Sequence, residues 1–439
     1  MSNKLNTETV LQICERNFSK ALANFTSSHN VNRWLIAHSG GLDSQLLLHV
    51  SARQIPAENL LVVHVNHHLQ PQADDWAEFS TAEAQALGLS SIVLDVHPEG
   101  RSEQAARDAR YTAIERLIQA GDCVLFGHHA DDQVETILYR LLRGAGLSGM
   151  SGMPVSRSLG TGQLLRPLLG CSRDLLSAAV EALNLRFIQD PSNQQLDYDR
   201  NYLRQKIFPQ LKARWPSLLE RWQSNADHVA EADALLQIYL DLDLKKCSPE
   251  PEQLDIELWQ QLEPVRRKAL LRYWVSRVAG PRLNEKQVAE IVASVIGAKP
   301  DANPVYKLKN ALLGRFQNKL YLLPKVVEVK DNLSIQADGQ YDLGDGVLTI
   351  SGLPAGEVLN VRRRQGGENC YPVGRGTAKS VKKLLQEAVI PPWFKEHWPL
   401  VFRTEKIVAI PGICVCEESY AEKGEFSVLW CPFSLSDLS

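Results

Sequence analysis

The chain has 439 residues, of which 44% are hydrophobic, and its formal net charge at pH 7 is −3. This length predicts two or three domains, and the nearly balanced charge excludes a protein that binds nucleic acid over its whole surface. The N-terminal residues 1–20 mix acids and bases, and no apolar run reaches the about 20 residues that a membrane helix needs. We therefore expect a cytoplasmic protein without a membrane partner.

The eight cysteines are scattered along the chain without a paired CxxC spacing. This distribution favours reduced thiols over a disulfide framework or a zinc site. Cys414 and Cys416 form the one close pair, and their spacing of two puts both side chains on one face of a predicted strand. We interpret this pair as structural.

The first predicted strand, residues 34–37, leads directly into a loop that contains two glycines. The loop consists of Ser39, Gly40, Gly41, Leu42, Asp43 and Ser44, and a helical pattern follows at 45–53. Adjacent glycines let successive N–H groups turn into one concavity, and the start of the helix adds positive potential. The sequence predicts that this loop binds phosphate, with Asp43 placed to hold Mg²⁺. A capped turn at a helix start is the structural alternative.

Short apolar runs alternate with amphipathic helical stretches as far as about residue 190. Further strands are predicted at 60–65, 92–96 and 123–126, and helices at 73–87 and 102–120. This alternation predicts an α/β domain with a doubly wound parallel sheet, whose ligands bind at the carboxyl ends of the strands.

The loop after the fourth strand opens a helix with two kinds of face. Apolar residues recur at helical spacing along one stripe of 128–144, and Asp132 and Glu135 belong to a polar stripe. In one interpretation, two carboxylates near the start of a helix merely interact favourably with the helix dipole. Opposite a phosphate loop, they are instead candidates for binding an ammonium group. The nearby histidines have no cysteine partner and no i,i+4 pair on a helix, which argues against zinc.

The remaining chain separates into a helical part and a mostly β part. Residues 216–300 have a helical pattern, whereas glycines, prolines and alternating apolar residues become frequent after about 305, with one helix predicted at 378–388. We predict domains at 1–215, 216–325 and 326–439, the last one α+β. Basic residues concentrate at 200–221 and 362–383, which indicates local RNA contacts or solvated faces.

Five segments together resemble the bacterial tRNA(Ile)-lysidine synthetases, a family of PP-loop ATP pyrophosphatases. They are SGGLDS at 39–44, HVNHHL at 64–69, EQAARDARY at 103–111, HHADDQVETILYRLLRG at 128–144 and DPSNQQLDYDRNYLR at 190–204. The first is generic to the superfamily, whereas the fourth and fifth together are specific. Residues 362–393 are also similar to the C-terminal domain of that family. The second segment departs from the family, which commonly has a glycine and an arginine where this chain has His68 and Gln70.

The resemblance implies a reaction in two steps. ATP adenylates the 2-carbonyl oxygen of the wobble cytidine in an isoleucine tRNA with a CAU anticodon, and free L-lysine then displaces AMP to give lysidine. ATP and Mg²⁺ are thus implied. The resemblance assigns catalytic roles to Asp43, Arg107, Arg110, His128, Asp132 and Glu135. It assigns tRNA contacts to Asn193, Arg200, Asn201 and Arg204 near the pocket, and to Arg363, Arg375, Lys379, Lys382 and Lys383 in the C-terminal domain.

Within these assignments, Asp132 and Glu135 are suited to an ammonium group, and Arg107 or Arg110 to a carboxylate or phosphate. The group that deprotonates the lysine amine stays open among Asp43, Asp132 and His128. Two other functions compete: a tRNA thiolase that uses the same adenylation step, and a noncatalytic tRNA-binding protein. The oligomeric state also stays open, a homodimer included.

Overall fold

The computed structural model describes residues 7–100, 103–191, 197, 199–280, 282–299, 302–324, 330–374, 376–416 and 426–432. The predicted tRNA contacts Asn193 and Arg375 lie outside the described residues. Packing divides the chain into two compact units, residues 1–235 and residues 236–439.

The first unit is built on a six-stranded sheet with the order β3-β2-β1-β4-β6-β5. The strands are β1 (Arg33–Ala37), β2 (Leu60–Asn66), β3 (Ser90–Asp95), β4 (Asp122–Leu125), β5 (Ser156–Leu159) and β6 (Gly162–Leu165). All of them pair in parallel except β5, which runs antiparallel to β6 at the edge. The predicted parallel sheet is confirmed, and the β5–β6 hairpin is an addition that the sequence pattern did not predict.

Helices cover both faces of this sheet. They are α1 (Thr7–Thr26), α2 (Leu42–Gln54), α3 (Ala73–Ala86), α4 (Glu103–Leu117), α5 (Ala130–Leu142), α6 (Leu147–Met150) and α7 (Arg173–Ala182). Alternate residues of β1 enter different cores: Ile36 packs with residues of α1, α2 and α7, whereas Leu35 packs with Ile114 of α4. A sheet buried on both faces explains why its strands read as continuous apolar runs.

The direction of winding changes between β1 and β4. From β1 the chain builds β2 and β3 on one side, and β4, β6 and β5 lie on the other. Such a switch point opens a crevice at the carboxyl ends of the two central strands. The loops that lead into α2 and α5 both border this crevice, which sets the position of the site described below.

The first unit continues through α8 (Asp199–Tyr202), a π-helical turn (Leu203–Ile207), α9 (Phe208–Arg214) and the start of α10 (Leu218–Cys247). In the second unit, α11 (Ile256–Gln260), α12 (Pro264–Ala279), α13 (Glu285–Ile291) and a π-helical turn (Val292–Ile296) share a core with an antiparallel sheet. That sheet has the order β7-β10-β9-β8, from β7 (Gln253–Asp255), β8 (Val305–Lys307), β9 (Ala311–Phe316) and β10 (Lys319–Pro324). The middle of the chain is helical as predicted, with this sheet in addition.

The C-terminal part is mostly β, as predicted, in sheets ordered β11-β14-β17-β18-β19, β12-β13-β20 and β15-β16. Its strands are β11 (Leu333–Ile335), β12 (Gly339–Asp342), β13 (Gly346–Ser351), β14 (Leu359–Arg363), β15 (Asn369–Cys370), β16 (Lys379–Ser380), β17 (Pro399–Arg403), β18 (Lys406–Ile410), β19 (Cys414–Val415) and β20 (Ser427–Pro432). The helices are α14 (Val381–Glu387), within the predicted 378–388, and α15 (Pro392–Lys395). No described helix combines the length and the apolar character needed to cross a bilayer.

Candidate active site

The loop Ser39–Ser44 connects β1 to α2, and its hydroxyl groups hold its own backbone in place. Ser44 Oγ donates to the carbonyl of Gly41 (2.9 Å) and accepts from the N–H of Ser39 (3.2 Å). Gly41 occupies the N-cap position of α2 and offers no side-chain acceptor. The N-terminus of α2 therefore keeps its positive potential for an anion, as a phosphate loop requires.

Two glycines let other segments approach this loop closely. Gly40 has a φ of +80°, and a Cβ there would collide with Ile188 Cδ1. Gly127 follows β4, and a Cβ on it would lie 3.0 Å from the carbonyl oxygen of Asp43 and 3.3 Å from the nitrogen of Ser44. The end of β4 thus packs backbone against backbone on the phosphate loop. Sequence reasoning missed Gly127, although a glycine directly after a central strand was a signal of close approach.

A histidine fixes the start of α5. His129 Nδ1 accepts from the N–H of Asp132 (3.3 Å), and Asp132 Oδ2 accepts from the N–H of His129 (3.1 Å), which forms a capping box. The other ring nitrogen, Nε2, lies 3.4 Å from Asp132 Oδ2 and 3.7 Å from Asp43 Oδ1. The buried His129 therefore lies between the carboxylates of Asp43, at the start of α2, and Asp132, at the start of α5. Sequence reasoning chose His128 and missed His129, whose signal was its place three residues before Asp132.

An arginine bridges two of the three carboxylates of α5. Arg204 Nη2 donates to Asp132 Oδ1 and Arg204 Nε donates to Glu135 Oε2, both at 2.8 Å. Arg200 Nε lies 3.6 Å from Glu135 Oε1, and its guanidinium lies over the Tyr139 ring. Asp132 and Glu135 thus form a cation-binding pair, and the guanidinium comes from the segment for which RNA contact was predicted.

Burial and neighbouring charges shift the pKa values of these groups in different directions. Burial raises the pKa of Asp43 and of Glu135, although His129 opposes it at Asp43 and Arg204 opposes it at Glu135. Burial acts in the same direction on Asp132, but His129 and Arg204 outweigh it and hold the pKa of Asp132 below its ordinary value. Burial also lowers the pKa of His128 to about 3, so this imidazole is neutral at pH 7.

A cavity of about 810 Å³ joins these groups. The predicted site residues that line it are Ser39, Gly41, Asp43, Ser44, Arg110, His128, Asp132, Glu135, Arg200, Asn201 and Arg204. Arg107 lines a smaller cavity of about 140 Å³ together with Asp132 and Glu135. The other two loop residues act through the loop itself: the carbonyl of Gly40 accepts from the N–H of Ile188 (2.8 Å), and Leu42 packs on the core. The structure brings the predicted catalytic residues together, and their individual roles stay predictions.

The basic residues of the C-terminal domain divide into buried and exposed ones. Arg363 is only 7% exposed; it forms an ion pair with Asp345 and donates to the carbonyl of His397 (2.8 Å). A phosphate would have to displace these internal partners, so the structure argues against the tRNA contact predicted for Arg363 and indicates a structural role. Lys379 pairs with Glu387 at 2.9 Å, whereas Lys382 and Lys383 are exposed on α14.

The backbone conformation at His68 explains why the family commonly has a glycine at this position. Its φ is +51°, in the left-handed region that glycine adopts without strain, which accounts for the glycine that the resemblance led us to expect there. In this chain His68 Nε2 lies 2.8 Å from Asp95 Oδ1, and this contact offsets part of the backbone cost.

Comparison with known proteins gives matches along most of the chain. Residues 12–211 match the family model of a PP-loop domain, 254–321 that of a TilS substrate binding domain, and 359–430 that of a TilS substrate C-terminal domain. The tRNA(Ile)-lysidine synthase of Coxiella burnetii is 35% identical over 425 residues, which cover 92% of this chain and 93% of that protein. The chain belongs to the tRNA(Ile)-lysidine synthase family. The tRNA(Ile)-lysidine synthase of Pseudomonas aeruginosa is 37% identical to this chain over 419 residues, which cover 91% of this chain and 93% of that protein.

Family membership confirms the resemblance stated from the five sequence segments. It also confirms that the chain is an enzyme, a ligase of the PP-loop ATP pyrophosphatase superfamily. The domain boundaries at 215 and 325 stay predictions, as do the roles of single residues.

Proposed function

We propose that this enzyme ligates free lysine to the 2-position of the wobble cytidine in an isoleucine tRNA with a CAU anticodon. ATP first adenylates the cytidine, and lysine then displaces AMP to give lysidine, which switches the codon and the amino acid identity from methionine to isoleucine. The observation that carries the proposal is the cavity in which the phosphate loop faces the cation-binding pair Asp132 and Glu135. We place the reaction in the cytoplasm. The residues assigned below all belong to a single chain, so the proposal does not require a second subunit.

In the adenylation step, the loop Ser39–Ser44 would hold the phosphates of ATP through its N–H and hydroxyl groups. Among the described residues, Asp43 Oδ1 is buried without a hydrogen-bond partner, which fits a carboxylate oxygen that binds a cation. Mg²⁺ held by Asp43 and phosphate oxygens would offset the negative charge that develops on pyrophosphate. The start of α2 adds to the same electrostatic stabilisation of the leaving group.

In the lysine-transfer step, Asp132 and Glu135 would bind an ammonium group of lysine. Each carboxylate oxygen can accept more than one hydrogen bond, so an ammonium can join or replace the guanidinium of Arg204. Arg107 lines the smaller cavity together with these carboxylates, and Arg110 lines the larger one. Groups of both signs therefore surround the space that a zwitterionic amino acid with a cationic side chain needs.

The attacking amine must lose a proton, which costs about 4.6 kcal/mol at pH 7 from a reference pKa of ~10.4. The pKa of His128, lowered by burial to about 3, makes it a weak base, and the pKa of Asp132 is also below its ordinary value. Burial raises the pKa of Asp43 and thus its basicity, and we propose Asp43 as the group that accepts the proton. Because a bound cation weakens that basicity, the two roles of Asp43 belong to different steps.

The target cytidine is modified on its base, so it must leave its stack to enter the cavity. Arg200, Asn201 and Arg204 line that cavity. Arg200 and Arg204 both lie against the carboxylate of Glu135, so binding RNA would require these arginines to share or break their contacts with it. Exposed Lys382 and Lys383 would contact phosphates of the tRNA body.

The proposal is tested with labelled lysine, ATP, Mg²⁺ and an isoleucine tRNA transcript with a CAU anticodon. A methionine tRNA, which shares this anticodon, is the control. We expect label in the wobble nucleoside of the isoleucine tRNA alone, confirmed by mass spectrometry of the digested RNA. Absence of label from both tRNAs, with protein that still binds them, would refute the proposed ligation.

The thiolase alternative has less support from the site. Sulfur transfer needs reactive or cluster-binding cysteines beside the activated base. Cys123 and Cys171, the two that follow the phosphate loop in this unit, are fully buried in its apolar core. Label from a sulfur donor in the wobble nucleoside, in place of lysine, would favour this alternative.

A further inference from the structure

Three cysteine sulfur atoms meet in the C-terminal domain, away in sequence from the residues that line the two cavities. The Sγ atoms of Cys370, Cys414 and Cys416 all lie within 4.8 Å of one another, and those of Cys414 and Cys416 are 3.8 Å apart. Cys370 is fully buried and the other two are half-buried. Within the described residues, this is the one group of at least three His, Cys, Asp or Glu side chains whose ligand atoms converge in this way.

The backbone around these sulfurs is fixed by hydrogen bonds between strands. Cys370 ends β15, whereas Cys414 lies in β19, beside β18. The N–H of Val373 donates to the carbonyl of Val415 (3.0 Å) and ties the two cysteine-bearing segments together. The N–H of Cys416 donates to the carbonyl of Val408 (2.7 Å). The three thiols are thus held in place by rigid elements, as a binding site requires.

The distance of 3.8 Å between Cys414 Sγ and Cys416 Sγ fits a soft metal ion, and Cys370 Sγ lies within 4.8 Å of both. With zinc–sulfur bonds of about 2.3 Å, the sulfur atoms of a tetrahedral site are about 3.8 Å apart. We propose that Cys370, Cys414 and Cys416 bind one thiophilic d¹⁰ cation of the zinc class, with a fourth position for water or another ligand. Each bond forms as a thiol releases its proton, so binding releases protons to the solvent.

The position of the site gives it a structural function. The ion joins the end of β15 to β19, and the chain between them carries β16 and α14, on which Lys382 and Lys383 are exposed. The side chains around the thiols are apolar, among them Leu384 and Leu385 from the inner face of α14. A bound ion would therefore stabilise the support of the basic helix and would not take part in ligation.

A contrasting cysteine pair provides an internal control. Cys14 and Cys171 are also buried and in contact in the first unit, where Asn17 Nδ2 donates to Cys171 Sγ (3.5 Å). Two thiols without a third ligand form a much weaker metal site. Replacing Cys14 and Cys171 by serine removes the same number of thiols as replacing Cys414 and Cys416, but leaves the three-cysteine site intact.

The test uses reduced, metal-free, full-length protein titrated with Co²⁺ and then with Zn²⁺. We expect one Co²⁺ per chain, with thiolate-to-cobalt charge-transfer absorption that equimolar Zn²⁺ removes. C414S/C416S should lose this absorption and bind Zn²⁺ at least a hundredfold more weakly, whereas C14S/C171S should behave as the original protein. Absence of the absorption in the original protein, or its persistence in C414S/C416S, would overturn the proposal.

A second measurement does not depend on the folding of variants. The unmodified protein is alkylated with and without one equivalent of Zn²⁺, and the labelled peptides are identified by mass spectrometry. We expect zinc to slow the labelling of Cys370, Cys414 and Cys416 at least tenfold and to leave exposed Cys431 unchanged. Equal labelling with and without zinc, or a Cys414–Cys416 disulfide that forms in air in place of metal binding, would contradict the metal site.

Discussion

In the first unit, charged side chains surround a cavity and pair across segments that are far apart in sequence, as Arg204 does with Asp132 and Glu135. In the C-terminal domain, neighbouring basic residues serve different purposes. Arg363 is buried in an ion pair, whereas Lys382 and Lys383 face solvent. A basic run in a sequence is therefore weaker support for RNA binding than carboxylates that follow a central strand of a parallel sheet, because topology fixes where the latter converge.

The largest effect is expected at Asp132. Asp132→Asn keeps the shape of the side chain but removes the charge that faces Arg204 and the proposed ammonium of lysine. We expect lysine transfer to fall by roughly 10²–10³-fold, as for the loss of one partner of a buried charge pair, with tRNA binding retained, as measured by single-turnover incorporation and filter binding. The matched control is Asp174→Asn, since Asp174 is exposed and pairs only with Lys212 among the described residues. Turnover at the original rate in Asp132→Asn would remove this residue from the site.

The second largest effect is expected at Arg363, on the free energy of unfolding and not on tRNA binding. Arg363→Met leaves the half-buried carboxylate of Asp345 without its partner, which costs about 3 kcal/mol, the lower end of the range for buried pairs; burial already raises the pKa of Asp345. The control is Arg362→Met, the adjacent residue of β14, which forms an exposed ion pair with Glu405 at 2.9 Å. Urea titration should show this loss of stability in Arg363→Met and a much smaller loss in Arg362→Met, whose ion pair is screened by solvent. Equal stability of the two variants, with weaker tRNA binding by Arg363→Met, would restore the original prediction for Arg363.

The close approach at Gly127 gives a third prediction. Gly127→Ala places a Cβ 3.0 Å from the carbonyl oxygen of Asp43, so the phosphate loop must shift. Overpacking of this kind costs about 1–3 kcal/mol, and we expect the affinity for ATP to fall roughly tenfold. Gly170→Ala is the control, because a Cβ at Gly170 has nothing within 4 Å among the described atoms. Calorimetric titration of ATP into both variants measures the difference, and equal affinities would show that the loop tolerates the contact.

The smallest effect is expected on the exposed surface of α14. Replacing Lys382 and Lys383 by alanine should weaken tRNA binding about fivefold, or ~1 kcal/mol for two exposed charges. The slope of log K against log salt should become less steep by roughly 1 per lost phosphate contact. Lys330→Ala/Lys406→Ala removes two other exposed charges of the same domain and serves as the control. An unaltered salt slope in the Lys382 and Lys383 variant would assign tRNA contact to another surface.

Much of the first unit follows from the sequence because its constraints are local. The phosphate loop after β1 and the acidic start of α5 after β4 are both read from a strand followed by a helix, and parallel topology then brings them together. The pairing of Arg204 with those acids was not predicted, because the two segments are about 70 residues apart and no periodicity links them. His129 and Gly127 were missed because their roles depend on contacts with Asp43.

The cysteine cluster is a second case in which local spacing predicts only part of the arrangement. The spacing of Cys414 and Cys416 predicted a shared face, but nothing in the sequence connects them to Cys370, which lies 44 positions before Cys414. Only the pairing of strands around β18 reveals the third thiol. For Arg363, the resemblance predicts a tRNA contact, whereas its burial and its ion pair with Asp345, which no local pattern reveals, indicate a structural role.

The most direct test of the account is to omit lysine. The enzyme is incubated with isoleucine tRNA, ATP and Mg²⁺, and the RNA is digested and analysed by mass spectrometry before and after lysine is added. We predict an adenylated wobble cytidine that accumulates without lysine, disappears when lysine is added, and persists in Asp132→Asn. Lysidine that forms without a detectable adenylate, or an adenylate that Asp132→Asn converts at the original rate, would contradict a two-step reaction in which Asp132 binds lysine.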